Sequence, residues 1–498
     1  MNKIVFLTAL LLTVSACGLL TRCSIAHAAG TSEIEILIEK ADTLFEKKDL
    51  AEAKRVYLKA LSINAKNLRA RNNLGAVYMA LGDYSKAFEQ FEEILKLDPD
   101  YANAYENIGI IMCRKGDFER AVTTLKQALF LNSESSTAYY NLGLSFIGLE
   151  NYQDGIKALK VAVKLNPSFS EAYSTLGELH YRLDNIKEAE ECLKKAITAN
   201  PGNYTAYNTM GLLNLRQANY EDASLNFGKA LKGPRGVQVI ALYNMGLIYL
   251  TKNDAAKSIE YFKKATELEP GFAAAFNDWA MILIKQGNFA EAEKLLVKAI
   301  MVEPKNLTFN INLIDCYKKT SKFKEALDVC DYLIKLDAKN AQAYDEKGHI
   351  YYLSGDAKNA KENYEKAIAA NPSYAEAHYK LGVLYDKVGA GDRALTEYQA
   401  AVKLNPAHVF AYNNIGFSLM NSLKFDDAAK NLEAAVNINP NFTFALYNLG
   451  IVYFNRNKGA DLANARKMFA KILEIEPKES NFYKLASDAL TQVESKGK

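Results

Sequence analysis

Nine of the ten prolines of this 498-residue chain fall into one register: Pro99, Pro167, Pro201, Pro270, Pro304, Pro372, Pro406, Pro440 and Pro477. Their spacings are multiples of 34, with one extra residue before Pro270 and three before Pro477. The tenth, Pro234, sits where the one-residue insertion falls. Proline lacks an amide donor and clashes with the preceding helical turn, so each marks a place where a helix stops. A stop every 34 residues means one supersecondary unit copied along the chain. Such units stack, each burying its apolar side on the next, and length does not translate into a count of globular domains.

With the prolines at position 32 of the unit, thirteen units run from Ile34 to about Glu479. Position 8 is glycine in ten of them (Gly75, Gly109, Gly143, Gly177, Gly211, Gly246, Gly348, Gly382, Gly416, Gly450), with Ala41, Ala280 and Ile314 in the other three. Position 20 is alanine in eleven units and position 27 in ten. Large apolar residues such as Tyr78, Phe91, Leu125 and Phe262 recur between them. Each unit therefore carries two amphipathic helices with apolar residues at i, i+3, i+4 and i+7. Gly-Asp or Gly-Asn pairs, Gly82-Asp83 for one, mark the turn between the two. Glycine inside a helix costs about 1 kcal/mol relative to alanine. Ten of them persist only if close helix packing returns that cost through burial of the neighbouring large residues.

This pattern resembles the tetratricopeptide repeat family, and the resemblance covers about nine-tenths of the chain. It implies an all-α fold, a right-handed α-solenoid or superhelix of about thirteen helix-turn-helix units over residues 34–479, with the first helix of each pair lining a concave groove. Residues 480–498 read as a capping helix, its apolar stripe made of Phe482, Leu485, Ala489, Leu490 and Val493, followed by a polar tail. The unit at 307–340 is the poorest match, with Ile314 for glycine, Cys330 for a large apolar residue and Ala338 for proline, and is expected to be a soft spot. Lys232-Gly233-Pro234-Arg235-Gly236 lengthens one turn between units, and Asn457 to Ala460 enlarges the turn of the last.

Residues 1–28 lie outside the repeat. Lys3 precedes a 13-residue apolar run, Ile4 to Ala16, which has the form of an export signal and is short for a membrane span. Two processing sites compete. Val14-Ser15-Ala16-Cys17 resembles a lipoprotein box that would lipidate Cys17, and Gly18 in place of aspartate then implies the outer membrane. Ala26-His27-Ala28 resembles an ordinary cleavage site, which would leave a secreted soluble protein. The expected location is the periplasm or outer membrane.

Nearly every residue beyond the leader belongs to a repeat, which leaves no room for a catalytic domain. A formal charge of +3 argues against nucleic acid as a partner. Six cysteines show no C-x-x-C pair. Cys316 and Cys330 lie on the two helices of one unit, where a disulfide is an alternative, but buried free thiols behaving as small hydrophobes are the expectation. Glu346, His349 and His378 are the one cluster of metal-ligand types worth naming, and no metal or cofactor is expected.

Candidate binding residues come from two positions. Position 6 reads Asn73, Asn107, Asn141, Asn244, Asn312, Asn414 and Asn448, with Thr175, Thr209 and Asp278 as polar variants. The resemblance implies that it faces the groove, where an amide with donors and an acceptor grips a peptide backbone. Position 9 is apolar, including Ile110, Leu144, Leu212, Phe417 and Ile451; with Phe410, Phe444 and Phe454 it makes the C-terminal groove apolar and aromatic. Arg114, Arg182, Arg216, Lys285, Lys319 and Lys387 at position 13 form a candidate basic edge. The clamp by which some family members hold chaperone tails needs lysine at position 5 and asparagine at position 9, and no unit has both. The expected function is a non-enzymatic scaffold that binds protein or peptide segments while an envelope complex assembles. The alternatives are a glycan-binding solenoid and an accessory subunit that recruits substrates to a glycosyltransferase.

Overall fold

The computed structural model describes residues 33–496, so the leader, with Cys17, lies outside the described residues. These residues form 27 α-helices and no strand. Glu33–Glu46 and Leu50–Ile63 make the first pair, and pairing continues in chain order to Thr443–Arg456 and Asp461–Ile475, followed by the single helix Asn481–Lys496. The described residues fall into two compact bodies, one ending at Pro270 and one starting at Gly271. Within each, every helix packs on its pair-mate, and first helices of neighbouring units also touch.

Twelve of the units turn between their helices in the same way, and the last has an enlarged turn with Gly459 also at positive φ. The residue at position 15 has positive φ in all thirteen units, whether glycine (Gly82, Gly116, Gly287, Gly355, Gly389) or not (Lys48, Glu150, Asp184, Ala218, Asn253, Ser321, Leu423, Asn457). In the unit starting at Leu68, Gly82 N donates to Met79 O and Asp83 N to Tyr78 O, which closes the helix end with backbone groups alone. Asp83 Oδ1 then accepts from Lys86 N at 3.1 Å and caps the second helix. The eight non-glycine residues hold a left-handed conformation that costs about 1–2 kcal/mol each.

The position-8 glycines are small because a ring or branched side chain of the same unit occupies the space above them. A Cβ on Gly75 would lie 2.6 Å from the Phe91 ring, and one on Gly382 would lie 2.6 Å from the Tyr398 ring. Phe91, Phe262, Tyr398 and Phe469, all at position 24, are fully buried. Each returns about 1.5–3 kcal/mol by leaving water, more than the glycine costs in helix propensity. The unit at 307–340 reverses the arrangement, with the larger residue Ile314 at position 8 and the smaller Cys330 at position 24, both fully buried. Its helices Leu307–Lys319 and Phe323–Leu336 are nonetheless the most loosely packed of the pairs.

Cys316 and Cys330 are free and buried, as expected of small apolar thiols, with Cys316 Sγ donating to Phe289 O at 3.5 Å, so no disulfide joins them. One expectation is corrected in part. On the terminal helix Ala489 and Val493 are buried, and Phe482 and Leu490 pack against the same core, but Leu485 is exposed and Ala486 takes its place. Among the described residues no helix is long and apolar enough to cross a membrane.

Candidate functional site: the first-helix face of the second body

The position-6 asparagines divide between the two bodies. Asn73, Asn107, Asn141 and Asn244 are buried, whereas Asn312, Asn414 and Asn448 are partly exposed. Three of the seven follow a rule linking position 5 of one unit to position 6 of the next. Asn107 Nδ2 donates to Asn72 Oδ1 at 3.2 Å, Asn312 Nδ2 to Asn277 Oδ1 at 2.8 Å, and Asn448 Nδ2 to Asn413 Oδ1 at 3.0 Å. The position-5 amides in turn donate to their own neighbours Asn73, Asp278 and Asn414. Asn73 Nδ2 reaches Asp42 Oδ1 at 2.9 Å. These are relays stitching adjacent first helices together. Buried amides are held this way because an unmade hydrogen bond there costs about 1–3 kcal/mol. At the inserted residue the relay fails: Asn244 Nδ2 turns to Ile240 O at 2.8 Å, and Asn208 Oδ1 is left without a partner. Asn141 likewise bonds its own helix, at Thr137 O.

Between Ala341 and Lys387 the same relay is ionic. Lys380 Nζ donates to Asp345 Oδ2 at 2.7 Å, with Tyr374 Oη on the same oxygen at 3.3 Å. Asp345 is 1% exposed, its Oδ1 has no partner, and burial pushes its carboxyl up to about 6 against the pull of Lys380. Lys318 Nζ meets Glu346 Oε2 at 2.5 Å and Asp315 Oδ1 at 2.7 Å. Burial, helped by Lys380 and Lys318, drives the His349 imidazole down to about 4, so it is neutral at pH 7. These pairings occupy two members of the cluster of metal-ligand types that the sequence offered. Glu346 is taken by Lys318 and His378 Nδ1 lies 2.7 Å from Glu397, and no group of potential ligands suited to a metal occurs among the described residues.

Next to the ionic relay runs a continuous set of rings. Tyr379 packs on His408 (centroids 4.7 Å apart) and on Phe410 (6.3 Å). Phe410 meets Phe442 edge-on at 5.2 Å, Phe442 meets Phe444 at 5.7 Å, and Phe444 meets Phe482 edge-on at 4.7 Å. Phe410 and Phe444 occupy position 2 of successive first helices and are each 54% exposed; Phe417 is 46% exposed and Ile451 partly buried. In the first body the position-9 residues Ile110, Leu144 and Leu212 are instead buried. The basic edge exists residue by residue, but its cations cover tyrosines: Arg114 lies over Tyr84, Arg216 over Tyr181 and Lys387 over Tyr352, with Arg216 also paired to Asp184.

The arrangement is one of paired charges and packed rings. What it offers is exposed aromatic area beside fixed charge, the makings of a surface that binds a polypeptide. The aromatic residues were legible in the sequence. The ionic relay was not, although Asp345 and Lys380 occupy the same positions, 35 residues apart, as Asn72 and Asn107.

Comparison with known proteins agrees with this geometry. Models described as tetratricopeptide repeat or TPR repeat match residues 41–82, 66–129, 113–167, 140–204, 239–272, 283–346, 348–389 and 375–408. A 142-residue stretch is 28% identical to the BBSome complex member BBS4 of Mus musculus, over 28% of this chain and 27% of that protein. A 96-residue stretch is 34% identical to the probable UDP-N-acetylglucosamine–peptide N-acetylglucosaminyltransferase SPINDLY of Hordeum vulgare, over 19% of this chain and 10% of that one. The chain thus spans about a quarter or less of the length of these two relatives. The crystal structure of yeast Tom70 aligns over 93% of this chain and 95% of its own, at 18% identity and a TM-score of 0.44.

Proposed function

Because this chain belongs to the tetratricopeptide repeat family, we propose that it is a non-enzymatic scaffold of the bacterial cell envelope, holding protein or peptide segments on its first helices while a multiprotein complex assembles. The observation that carries the reading is the row of half-open rings Phe410, Phe417 and Phe444 on the second body. Aromatic side chains bury much area at little entropic cost and dominate protein interfaces. Asn414 and Asn448 stand on the same helices as that row and, like Asn312 three units earlier, are partly open to solvent, so any backbone they grip must share them with the relay. Asn73 and Asn107 act instead as stitches between helices, while the buried Asn141 and Asn244 bond back to their own. The similarity to SPINDLY touches a tenth of that protein and supports no transferase activity here.

The envelope assignment rests on the apolar run Ile4 to Ala16 and the box ending at Cys17. Metabolic labelling with a fatty-acid analogue should mark the wild type and not Cys17→Ser. Equal labelling, or none in either, removes the lipid anchor and leaves the secreted form.

A photo-crosslinking amino acid at position 417, in cells, tests the binding surface. It should trap one or more polypeptides, and Phe410→Ala with Phe444→Ala should abolish trapping with helicity unchanged. Trapping that survives the double substitution refutes the role of the ring row.

A further inference from the structure

Resting on the reading of this face as a polypeptide-binding surface, we propose that the segment it takes carries one cationic side chain, arginine or lysine, beside apolar residues, and that Glu376 receives the cation. Glu376 occupies position 2, on the same row as Phe410 and Phe444 and one unit before them. Contacts join it to the rings: its Oε2 lies 3.5 Å from His408 Nε2, His408 packs on Tyr379, and Tyr379 packs on Phe410.

The state of Glu376 follows from its neighbours. His408 Nδ1 accepts the Ala411 N–H at 3.2 Å at the start of the helix Val409–Asn421, which leaves the ring proton on Nε2, 3.5 Å from the carboxylate. This contact, ahead of the charge of Lys380, holds the Glu376 carboxyl below its ordinary range, so it is ionised at neutral pH. Neither neighbour satisfies it. The His408 contact is at the outer limit of a hydrogen bond, and Lys380 stands 3.9 Å away while bonding Asp345 at 2.7 Å. The Glu376 side chain is 44% exposed. A fixed, ionised and under-coordinated carboxylate at the end of an aromatic row complements a cation followed by apolar groups. Neighbouring helices pack about 8–10 Å apart and an extended chain advances about 3.3 Å per residue, so the cation and the apolar side chains should recur about three residues apart.

Fluorescence anisotropy with the full chain tests this, using short labelled synthetic peptides in which arginine and two leucines stand about three residues apart. The set includes both chain directions, versions with glutamine or glutamate for the arginine, and one with serine for the leucines. The arginine peptide should bind about fivefold more tightly than the glutamine peptide, and the glutamate peptide most weakly. Glu376→Gln should erase the preference for arginine, and Glu376→Lys should turn it toward the glutamate peptide. Leucine peptides that bind alike whatever their charge, or a preference that survives Glu376→Gln, would overturn the inference and leave the binding surface standing. If no peptide of the set binds, the surface reading falls and the inference with it.

Discussion

The ion pair Asp345–Lys380 stands where three other relays use two amides, and it should be the costlier solution. Asp345 is fully buried, and its carboxyl sits at about 6 against about 3.9 for an unfolded chain. Holding it charged at pH 7 therefore costs about 3 kcal/mol, to order of magnitude. Between these two values the native protein binds more protons than the unfolded one, so the stability contributed here is full below about pH 4 and is lost as pH rises through about 6. Lys380, Glu346, Glu376 and Tyr374 are the groups that act on Asp345. The double substitution Asp345→Asn with Lys380→Asn rebuilds the amide relay of Asn72 and Asn107. It should stabilise the local structure at pH 7 by about 1–3 kcal/mol, as replacing buried ion pairs often does. Lys380→Met alone, which strands Asp345, should destabilise by about 3 kcal/mol. Stacked repeats open unit by unit, so the assay is native-state hydrogen exchange, corrected for intrinsic rates, on the helices Ala341–Leu353 and Ala375–Lys387. A double variant that opens more readily than wild type at pH 7, or a difference between the two that stays constant from pH 4 to 7, would refute the reasoning.

Three further outcomes are expected. Leu423→Gly, at φ 58° and on the surface, should raise thermal stability by the equivalent of about 1 kcal/mol, measured as a melting shift, because it removes left-handed strain. Gly382→Ala should lose about 1–2 kcal/mol despite its better helix propensity, since the new methyl meets the buried Tyr398 ring at 2.6 Å; denaturant titration showing a gain would contradict the packing. Amide exchange over 307–340 should be faster than in the units on either side within the second body, and uniform protection there would count against the looseness of that helix pair.

How much was legible depended on whether the cause lay within one unit or between two. Proline register, the glycine beneath a ring and the turn after the first helix all act inside 34 residues, and each returned in the structure. Gly75 with Phe91 is such a case, and the exchange of large and small at Ile314 and Cys330 obeys the same volume rule. The asparagines read as ligand-facing because a polar residue on a first helix has no partner in its own unit. Their partners stand 35 residues away, a relation that appears only when position 5 is read against position 6 of the next unit. Position 9 could be read from the sequence either as open groove or as buried between first helices. Ile110 and Phe417 hold equivalent places, yet one is buried and the other left open.

Twelve of the turns, finally, are closed by main-chain groups whatever residue stands at their left-handed point, as Lys48, Asp184 and Ser321 in that place attest. Closing the turn thus asks nothing of those side chains, even where one has found a partner of its own, as Asp184 has in Arg216, and selection is free to rewrite them. A chain organised this way carries a series of evenly pitched mounting points, where a loop, a label or a new contact can be installed one unit at a time without renegotiating the helices beneath.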